Sequence, residues 1–343
     1  MSGLDFQNIR KLLIRSTNWL GDAVLTTPAM GQLRKAFPRA EIVVAANPVV
    51  AELLSPHPDC DRVMIWDKGR QHKGISGLVQ FSQGLRKEKF DLAVLFQNAF
   101  EAALMAWLAG IPRRMGYRID GRGLLLNHGV PVGAAERRLH HSEYYVNLLR
   151  RAGIDAPVAP PRLYCTAAET KWAEDQLPGD RWVAINPGAA YGSAKRWLPE
   201  RFAEVAESIS RELGVGIVLI GGRQDTAVGA QISSQIHTPH QNFVGQTTIR
   251  QLMALLARCR LLITNDSGPM HMAAALETPL VALFGPTDPL TTSPATDRCK
   301  IVRHLVACAP CLKRHCPTDH RCMTAISVDE VLAAARGLWM ESR

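Results

Sequence analysis

Residues 261–276, LLITNDSGPMHMAAAL, decide which fold the chain is predicted to adopt. The first four residues predict the end of a buried strand, and the last seven predict a helix. Between them, Asp266 or Ser267 can cap the helix, and Pro269 suits its first turn, where a missing N–H has no cost. Backbone N–H groups at the positive end of a helix dipole bind phosphate, so this turn predicts a diphosphate site. An ordinary capped turn of an α/β protein is the alternative interpretation.

The same alternation of apolar strands and helices runs through the whole chain. In the first half, the pattern predicts strands at residues 11–16, 41–46, 63–66 and 92–96, with helices at 23–37 and 140–152. In the second half, it predicts strands at 182–186, 216–220, 261–264 and 280–284, with helices at 199–213, 225–236 and 249–259. Such alternation is typical of parallel sheets covered by helices on both faces.

A proline-rich stretch at residues 156–162, APVAPPR, separates the two halves and predicts a linker. We therefore predict an α/β protein with two Rossmann-like, doubly wound domains, residues 1–160 and 161–327. The carboxyl ends of their strands are expected to face a central cleft. Residues 328–343 predict a C-terminal helix, and packing back on the N-terminal domain is one arrangement open to it.

The composition indicates a globular protein without a membrane-spanning segment. Of the 343 residues, 47% are apolar and 21% are charged, and no run of 18 apolar residues occurs. The N-terminal residues lack the features of a signal peptide, so a cytoplasmic location is expected.

The net charge of +9 favours an anionic partner, such as nucleic acid, an anionic membrane face or a phosphorylated substrate. No nucleic-acid-binding motif accompanies the charge, so nucleic acid is not an expected partner. The basic residues cluster in predicted loops at Arg113, Arg114, Arg118 and Arg122, and again at Arg137, Arg138, His140 and His141. These clusters are candidates to contact the partner, and a solvated face is the alternative.

Five segments, taken together, resemble glycosyltransferase family 9, the lipopolysaccharide heptosyltransferases. They are STNWLGD at 16–22 with TTP at 26–28, NPG at 186–188 with KRW at 195–197, GG at 221–222, NDSGPMH at 265–271 and FGPTDP at 284–289. The resemblance runs from about residue 10 to residue 330. With the cysteine-rich CAPCLKRHC at 308–316, these segments resemble the heptosyltransferase II branch most.

The resemblance implies a two-Rossmann (GT-B) fold and inverting transfer of L-glycero-D-manno-heptose from ADP-heptose. The implied acceptor is heptosylated Kdo₂-lipid A, and no cofactor or metal is required beyond ADP-heptose as co-substrate. Because that acceptor is a lipid, peripheral contact with the inner face of the cytoplasmic membrane is expected. Another branch of the family, acting at a different core position, and a non-catalytic nucleotide-sugar-binding module remain open. A dinucleotide-dependent oxidoreductase is disfavoured because no G-x-G-x-x-G follows either first strand.

An inverting transfer needs a base for the acceptor hydroxyl, and Asp22 is the candidate. It follows Gly21 at the mouth of the first predicted strand. Capping of the next helix is the alternative role for Asp22. Gly21 permits a tight turn close to a ligand and, with Arg113, Arg114 and Arg118, is a candidate to bind the acceptor.

The departing diphosphate needs positive character, which we assign to Lys195 and to the backbone at Ser267, Gly268 and Met270. Lys195 lies in a Gly/Ala/Ser-rich loop, GAAYGSAK, and a solvent-exposed lysine is the alternative. Arg196 is a weaker second candidate. Asp266 either caps the helix or, as the resemblance suggests, binds the transferred heptose. His271 is either a packed histidine or a ligand residue.

Nucleoside recognition is assigned to other strand ends of the second domain. Gly188 and Ala189 are expected to line the donor pocket with backbone groups, and Gly222 lets the chain pass close to a base or ribose. Asp225 is a candidate acceptor for ribose hydroxyls, as acids are in dinucleotide folds. Capping of the helix that begins at Asp225 is the equal alternative.

Four of the eight cysteines crowd into one stretch, Cys308-x₂-Cys311-x₄-Cys316-x₅-Cys322. In a reducing compartment this pattern does not indicate a disulfide framework. The spacing is compatible with structural zinc, but it lacks the second C-x₂-C pair that makes such a prediction strong. Packed, reduced thiols are the favoured interpretation, and no metal site is predicted.

Overall fold

The computed structural model describes residues 8–341, which form two compact units divided between Leu163 and Tyr164. The division follows the proline-rich stretch at residues 156–162, three residues beyond the predicted domain boundary. No helix within residues 8–341 is long and apolar enough to cross a bilayer.

The first unit contains a six-stranded sheet in which all neighbouring strands are parallel. Its strands are β1 (Lys11–Arg15), β2 (Glu41–Ala46), β3 (Arg62–Ile65), β4 (Leu92–Leu95), β5 (Arg113–Arg118) and β6 (His128–Pro131). They lie in the order β3-β2-β1-β4-β5-β6, the order of a Rossmann fold. The apolar runs of β1, β2 and β4 are buried almost throughout, as expected for the central strands of a parallel sheet.

Helices connect these strands. They are α1 (Leu20–Ala36), α2 (Pro48–Leu53), α3 (Gly74–Lys87), α4 (Phe100–Leu108) and α5 (His141–Arg151), with 3₁₀ turns at Arg122–Leu125 and Glu136–Arg138. Helix α1 packs along α5, and α3 packs along α4. The strands run in one direction, so the N-termini of the helices that follow them lie at the carboxyl edge of the sheet.

The second unit repeats this plan. Its parallel strands are β7 (Trp182–Asn186), β8 (Gly216–Leu219), β9 (His240–Asn242), β10 (Leu261–Asn265), β11 (Leu280–Leu283) and β12 (Cys299–Val302). Their order, β12-β11-β10-β7-β8-β9, is again the Rossmann order when the strands are counted from β7. The central strands β11, β10 and β7 therefore end side by side, so the turns after them meet.

The helices of the second unit cover both faces of its sheet. They are α6 (Ala167–Gln176), α7 (Pro199–Leu213), α8 (Thr226–Ser233), α9 (Ile249–Arg258), α10 (Gly268–Ala275), α11 (Pro289–Thr292), α12 (Arg321–Thr324) and α13 (Val328–Glu341), with 3₁₀ turns at Ser193–Lys195 and Arg223–Asp225. Helix α7 begins with Pro199, a residue that suits the first turn of a helix. It ends before Gly214, which adopts a left-handed φ of 59° and so terminates the helix.

The C-terminal helix α13 belongs to the second unit. Its buried residues Leu338 and Trp339 join the same core as residues of β10 and β11. The helix also packs along α7 and β12. The apolar face of α13 is therefore used by the core of the second unit.

Four strands of the structure, β5, β6, β9 and β12, are missing from the sequence prediction, which places the basic residues of β5 in a loop. Three of them, β6, β9 and β12, are edge strands. Edge strands are short and partly exposed, so they lack the apolar runs that identify β1 or β10.

A cluster of polar bonds joins α6 to α9. Thr166 and Glu169 form a capping box at the start of α6, and the Glu169 carboxylate also accepts two 2.7 Å hydrogen bonds from Arg250 of α9. The Arg250 guanidinium is the main reason why the pKa of Glu169 falls from its ordinary value of 4.5 to about 2. The charged form of Glu169 is therefore favoured in the folded protein.

We predict that Glu169→Gln destabilises the protein at neutral pH and that the difference disappears in acid. The folded-state pKa is lowered, so the stabilising contribution is complete above 4.5 and is lost as the pH falls towards 2. Urea unfolding of wild type and variant between pH 7 and pH 2.5 measures the difference. Glu174→Gln, at an exposed position of the same helix, is the matched control. A difference between wild type and Glu169→Gln that stays constant over this pH range contradicts the assignment.

Candidate active site

The turn between β10 and α10 is built differently from the predicted capped turn. Ser267 is the N-cap residue of α10, but it forms no side-chain cap hydrogen bond. Its hydroxyl instead accepts a 2.9 Å hydrogen bond from Asn186 at the end of β7 and lies 3.2 Å from the Thr264 hydroxyl. Since the Asp266 carboxylate is engaged elsewhere, neither predicted cap is formed. The positive end of α10 is thus not neutralised by a side-chain cap, a property that suits anion binding.

Asp266 holds Lys195 at the start of α10. Lys195 Nζ donates to Asp266 Oδ2 at 2.6 Å, and the Thr287 hydroxyl donates to the same oxygen at 2.6 Å. The side chains of the ion pair are 13% exposed for Lys195 and 5% for Asp266, so the pair is largely withdrawn from water. The solvent-exposed lysine that the sequence left open is therefore excluded: Lys195 has one defined position next to the α10 N-terminus.

The Lys195 loop, residues 187–198 between β7 and α7, is held at both ends by Asn265. The Asn265 amide donates to the Pro187 carbonyl at 2.8 Å and accepts from the Trp197 N–H at 3.0 Å. The Trp197 indole is buried and donates to the carbonyl of Ile326. These contacts fix the loop against the carboxyl edge of the sheet, so Lys195 projects from an anchored backbone.

A second ion pair lies beside the first. Asp225 is 2% exposed, and its carboxylate accepts from Arg196 at 3.0 Å and from the Gly222 N–H at 3.2 Å. Burial raises the pKa of Asp225, although Arg196 opposes this shift. The Asp225 side chain does not cap α8, which contradicts that alternative. A side chain at Gly188 would place its Cβ 2.2 Å from Asp225 Oδ2, so the glycine is required for this close approach.

Some of the remaining donor-site candidates are buried, and others are partly exposed. Ala189, Met270 and His271 are buried, and His271 lies within the packed body of α10. Ser267 and Gly268 are partly exposed at its N-terminus. The structure thus brings together the loop after β7 and the turns after β8, β10 and β11, as the sequence predicts for the donor half.

In the first unit, Asp22 lies in the first turn of α1, three residues after the N-cap residue Trp19. Its carboxylate Oδ1 is 3.3 Å from Nδ1 of His141, the first residue of α5, and both side chains are partly exposed. The Asp22 side chain is not the helix cap, so the capping alternative is wrong. Gly21 is also part of α1, which begins at Leu20, and does not form the predicted tight turn.

The three arginines assigned to the acceptor lie on one strand and not in a loop. Arg113 begins β5 and pairs in register with Leu92, the first residue of β4, so it lies at the amino edge of the sheet, opposite to Asp22. The Arg114 guanidinium donates to the carbonyls of Ile111 and Leu125. Only Arg118 is exposed near the carboxyl edge. The structure therefore does not bring Arg113 and Arg114 to the same edge as Asp22.

Two other members of the basic clusters have structural roles. Arg122 is completely buried and donates to the Tyr117 carbonyl at 2.9 Å and to Asn98 Oδ1 at 2.7 Å. Burial lowers the pKa of its guanidinium to about 10. His140 is the N-cap residue of α5, where its ring accepts from the Ser142 N–H. These contacts give both residues a structural role within the first unit.

The cysteines of the stretch at residues 308–322 are free thiols, with Cys308 exposed and Cys322 buried. Within residues 8–341, no three Cys, His, Asp or Glu side chains are arranged as a metal site. The alternative of a structural zinc site thus has no support in the described part of the chain.

Three functional contacts are absent from the sequence prediction. Thr287 lies in the FGPTDP segment, but nothing in the sequence indicates that it binds Asp266. Asn186 and Asn265 end neighbouring strands, and polar residues at adjacent strand ends are a usable signal for a shared site. His141 was noticed only for its charge, because its contact with Asp22 spans 119 residues of sequence.

Chemically, the second unit provides a lysine, an arginine and an uncapped helix N-terminus at one sheet edge, which together suit a diphosphate. The first unit provides a partly exposed carboxylate in contact with a histidine, which suits removal of a proton from a hydroxyl group. A carboxylate base and a diphosphate site are the components of sugar transfer from a nucleotide sugar.

The chain belongs to glycosyltransferase family 9 (heptosyltransferase), whose family model matches residues 78–321. It is therefore a glycosyltransferase, and the Rossmann-like architecture of both units is that of the GT-B class. The fold class predicted from the sequence is confirmed.

Among individual proteins, the chain is similar to lipopolysaccharide heptosyltransferase 2 of Escherichia coli K12. The two are 33% identical over 307 residues, which cover 85% of this chain and 88% of that protein. Lipooligosaccharide heptosyltransferase 2 of Campylobacter jejuni is 30% identical over 97% of this chain and 99% of its own length. The solved structure of E. coli ADP-heptose LPS heptosyltransferase II matches with a TM-score of 0.84 and 30% identity, covering 96% of this chain and 99% of that one.

We predict that Asp266→Asn lowers the free energy of unfolding by about 3 kcal/mol, because it leaves the Lys195 charge without a partner in a nearly dry position. Adding Lys195→Met to this variant should restore most of the loss, since a buried ion pair is replaced by neutral groups. Chemical denaturation of the two variants measures both effects. Asp175→Asn, which breaks the exposed Lys171–Asp175 pair, is the control and should change nothing measurable. If Asp266→Asn is as stable as wild type, the ion pair does not have the role assigned to it.

Proposed function

We propose that this chain is a heptosyltransferase that transfers L-glycero-D-manno-heptose from ADP-heptose to the heptosylated Kdo₂-lipid A inner core of lipopolysaccharide. Similarity to the heptosyltransferase 2 relatives over most of their length, and to the solved E. coli ADP-heptose LPS heptosyltransferase II, supports the heptose donor and a lipopolysaccharide acceptor. The structural observation that carries the proposal is Lys195, held in place by Asp266 beside the uncapped N-terminus of α10. This arrangement suits the diphosphate of a nucleotide sugar.

The second unit has the role of stabilising the leaving group. When the bond between the heptose and the diphosphate breaks, negative charge accumulates on the departing ADP. We assign the stabilisation of that charge to Lys195 and the N–H groups of Ser267, Gly268 and Met270. The Asn265 contacts that anchor the Lys195 loop support this assignment, because an anchored donor needs little reorganisation. We assign Gly188, Ala189, Gly222 and Asp225 to the nucleoside part of the donor site, with Asp225 acting by placing Arg196. The proposal requires no cofactor besides the co-substrate.

The first unit has the role of activating the acceptor. Asp22 accepts the proton of the acceptor hydroxyl while that oxygen attacks the anomeric carbon from the face opposite to the departing diphosphate. The proton ends on the Asp22 carboxylate, and the configuration at the anomeric carbon is inverted. His141 keeps the Asp22 side chain in one orientation.

The acceptor is a lipid, so we propose that the protein works in the cytoplasm, peripherally at the inner face of the membrane. Arg118 is the one member of the predicted acceptor arginines that is exposed near the carboxyl edge of the first sheet. We assign it to the anionic inner core of the acceptor, where a flexible cation contributes affinity and orientation.

The experiment that tests the proposal is incubation of the purified protein with ADP-heptose and acceptors of increasing core length. Mass spectrometry should show an increase of one heptose on the acceptor that already carries one heptose, and none on unheptosylated Kdo₂-lipid A. Addition at another core position would assign the chain to a different branch of the family. Binding of ADP-heptose without transfer to any acceptor would favour a non-catalytic module.

We predict that Asp22→Asn lowers kcat by about 100- to 10,000-fold, the usual contribution of a positioned general base. Affinity for ADP-heptose, measured by calorimetry, should remain unchanged because Asp22 belongs to the other unit. Glu143→Gln, in the first turn of α5 next to His141, is the matched control and should retain full turnover. Full turnover of the Asp22→Asn variant would show that another group is the base.

A further inference from the structure

The cysteine-rich segment, residues 303–320 between β12 and α12, contains no helix or strand. A loop of this length inside a compact unit is unusual without a function. The segment is the one prominent motif of the sequence that the proposed function has not used. Its contacts give it a place in the donor site.

The segment is bonded along its length to the Lys195 loop. The Ala194 N–H donates to the Arg314 carbonyl at 3.0 Å, and the Tyr191 hydroxyl donates to the Leu312 carbonyl at 2.8 Å. His320 Nε2 donates to the Ala194 carbonyl at 2.8 Å. The hydroxyl of Ser193 also lies 3.0 Å from Nδ1 of His315. These four contacts involve three loop positions just before Lys195, namely 191, 193 and 194, so the segment and the loop are held together.

Gly192 makes this close packing possible. A Cβ at this position would lie 2.2 Å from the Arg314 carbonyl oxygen, a backbone atom that has no freedom to turn aside. Any other residue at position 192 would push the segment away from the loop. The glycine of the GAAYGSAK loop therefore keeps Arg314 at a fixed distance from the backbone that carries Lys195.

Arg314 and Lys195 both lie over the aromatic ring of Tyr191. Lys195 Nζ lies 4.9 Å and Arg314 Cζ 5.3 Å from the centroid of the Tyr191 ring. A cation over an aromatic face is attracted by the ring, so Tyr191 helps to keep two positive groups near each other. Lys195 is engaged by Asp266, whereas within residues 8–341 the exposed Arg314 guanidinium forms no ion pair.

The segment also contacts the turn after β11. The Leu312 N–H donates to the Pro286 carbonyl at 2.8 Å, one residue before Thr287, which binds Asp266. The segment thus spans the two loops that fix the Lys195–Asp266 pair. The part of the segment around Leu312 and Arg314 is therefore positioned by the same turns that form the diphosphate site.

We propose that Arg314 is a second diphosphate-binding residue of the donor site, placed by the cysteine-rich segment and completed by Lys195. The inference rests on the proposed function, since it assigns the anion to the diphosphate of the nucleotide sugar. A guanidinium presents a planar pair of N–H donors that matches two phosphate oxygens, whereas Lys195 acts as a point charge. The two side chains therefore bind different oxygens of one diphosphate.

Calorimetry on the full chain with inorganic pyrophosphate, ADP and adenosine as probes tests this inference. Arg314→Met should lower the affinity for pyrophosphate and for ADP by about 10- to 100-fold, because both contain the diphosphate. The affinity for adenosine, which lacks the diphosphate, should remain unchanged. Arg314→Lys should recover part of the loss, since it restores the charge but not the planar pair of donors. Lys313→Met, at the neighbouring exposed position, is the charge-matched control and should bind all three probes as wild type does.

Gly192→Ala gives a second measurement. If Gly192 holds Arg314 in place, Gly192→Ala should itself lower the affinity for pyrophosphate. Adding Arg314→Met to this variant should then reduce that affinity by a smaller factor than it does in wild type. Equal pyrophosphate affinities of Arg314→Met and Lys313→Met overturn the inference. An equal loss of affinity for adenosine and for pyrophosphate in Arg314→Met also overturns the inference, because it would indicate general damage to the site.

The heptose-transfer assay separates this inference from the proposed function. If wild type transfers heptose and Arg314→Met binds pyrophosphate normally, the function stands and the role of Arg314 is wrong. If wild type transfers no heptose but Arg314→Met has lost pyrophosphate binding, the diphosphate site stands and the proposed substrate is wrong.

Discussion

The ion pair between Lys195 and Asp266 is the interaction on which the candidate donor site depends. Asp266 accepts hydrogen bonds from Lys195 and Thr287, so one carboxylate oxygen connects the turns after β7, β10 and β11. A pair so far removed from water adds little net stability, because desolvation offsets most of the attraction. Its consequence is geometric: the lysine charge stays next to the N-terminus of α10, whose N-cap residue forms no side-chain cap. The lysine and the uncapped N–H groups of α10 are therefore in position before any ligand binds.

The topology of the sheet explains why these three turns meet. Strands β11, β10 and β7 are neighbours and parallel, so their carboxyl ends lie at one edge, where the Rossmann order reverses direction. The first unit repeats this order. Asp22 lies in the first turn of α1, the helix that follows the first strand of that unit. Sequence patterns predict this architecture well where strands are central and apolar, as for residues 41–46 and 182–186. They miss β9, HQN, because a short polar edge strand has no apolar run.

The sequence indicates candidate residues for the site but not the contacts that these residues form. The motifs identify Lys195, Asp266 and Asp22, since small residues and charges at strand ends are visible in the sequence. The sequence does not show that Asp266 binds Lys195 and leaves α10 uncapped, because 71 residues separate the two and local capping preference points the other way. The contact between Asp22 and His141 is hidden for the same reason. Arg114 shows the opposite error: its charge suggested a ligand, but its guanidinium is used by nearby backbone carbonyls.

A crystal structure of the protein with bound ADP shows whether the diphosphate lies beside Lys195 and α10. The account predicts that Lys195 Nζ lies within about 3 Å of a diphosphate oxygen, with the first N–H groups of α10 directed at the same diphosphate. Lys195 should remain in contact with Asp266 or exchange that contact for the phosphate. A diphosphate bound away from α10, with the Lys195–Asp266 pair undisturbed, would contradict the account.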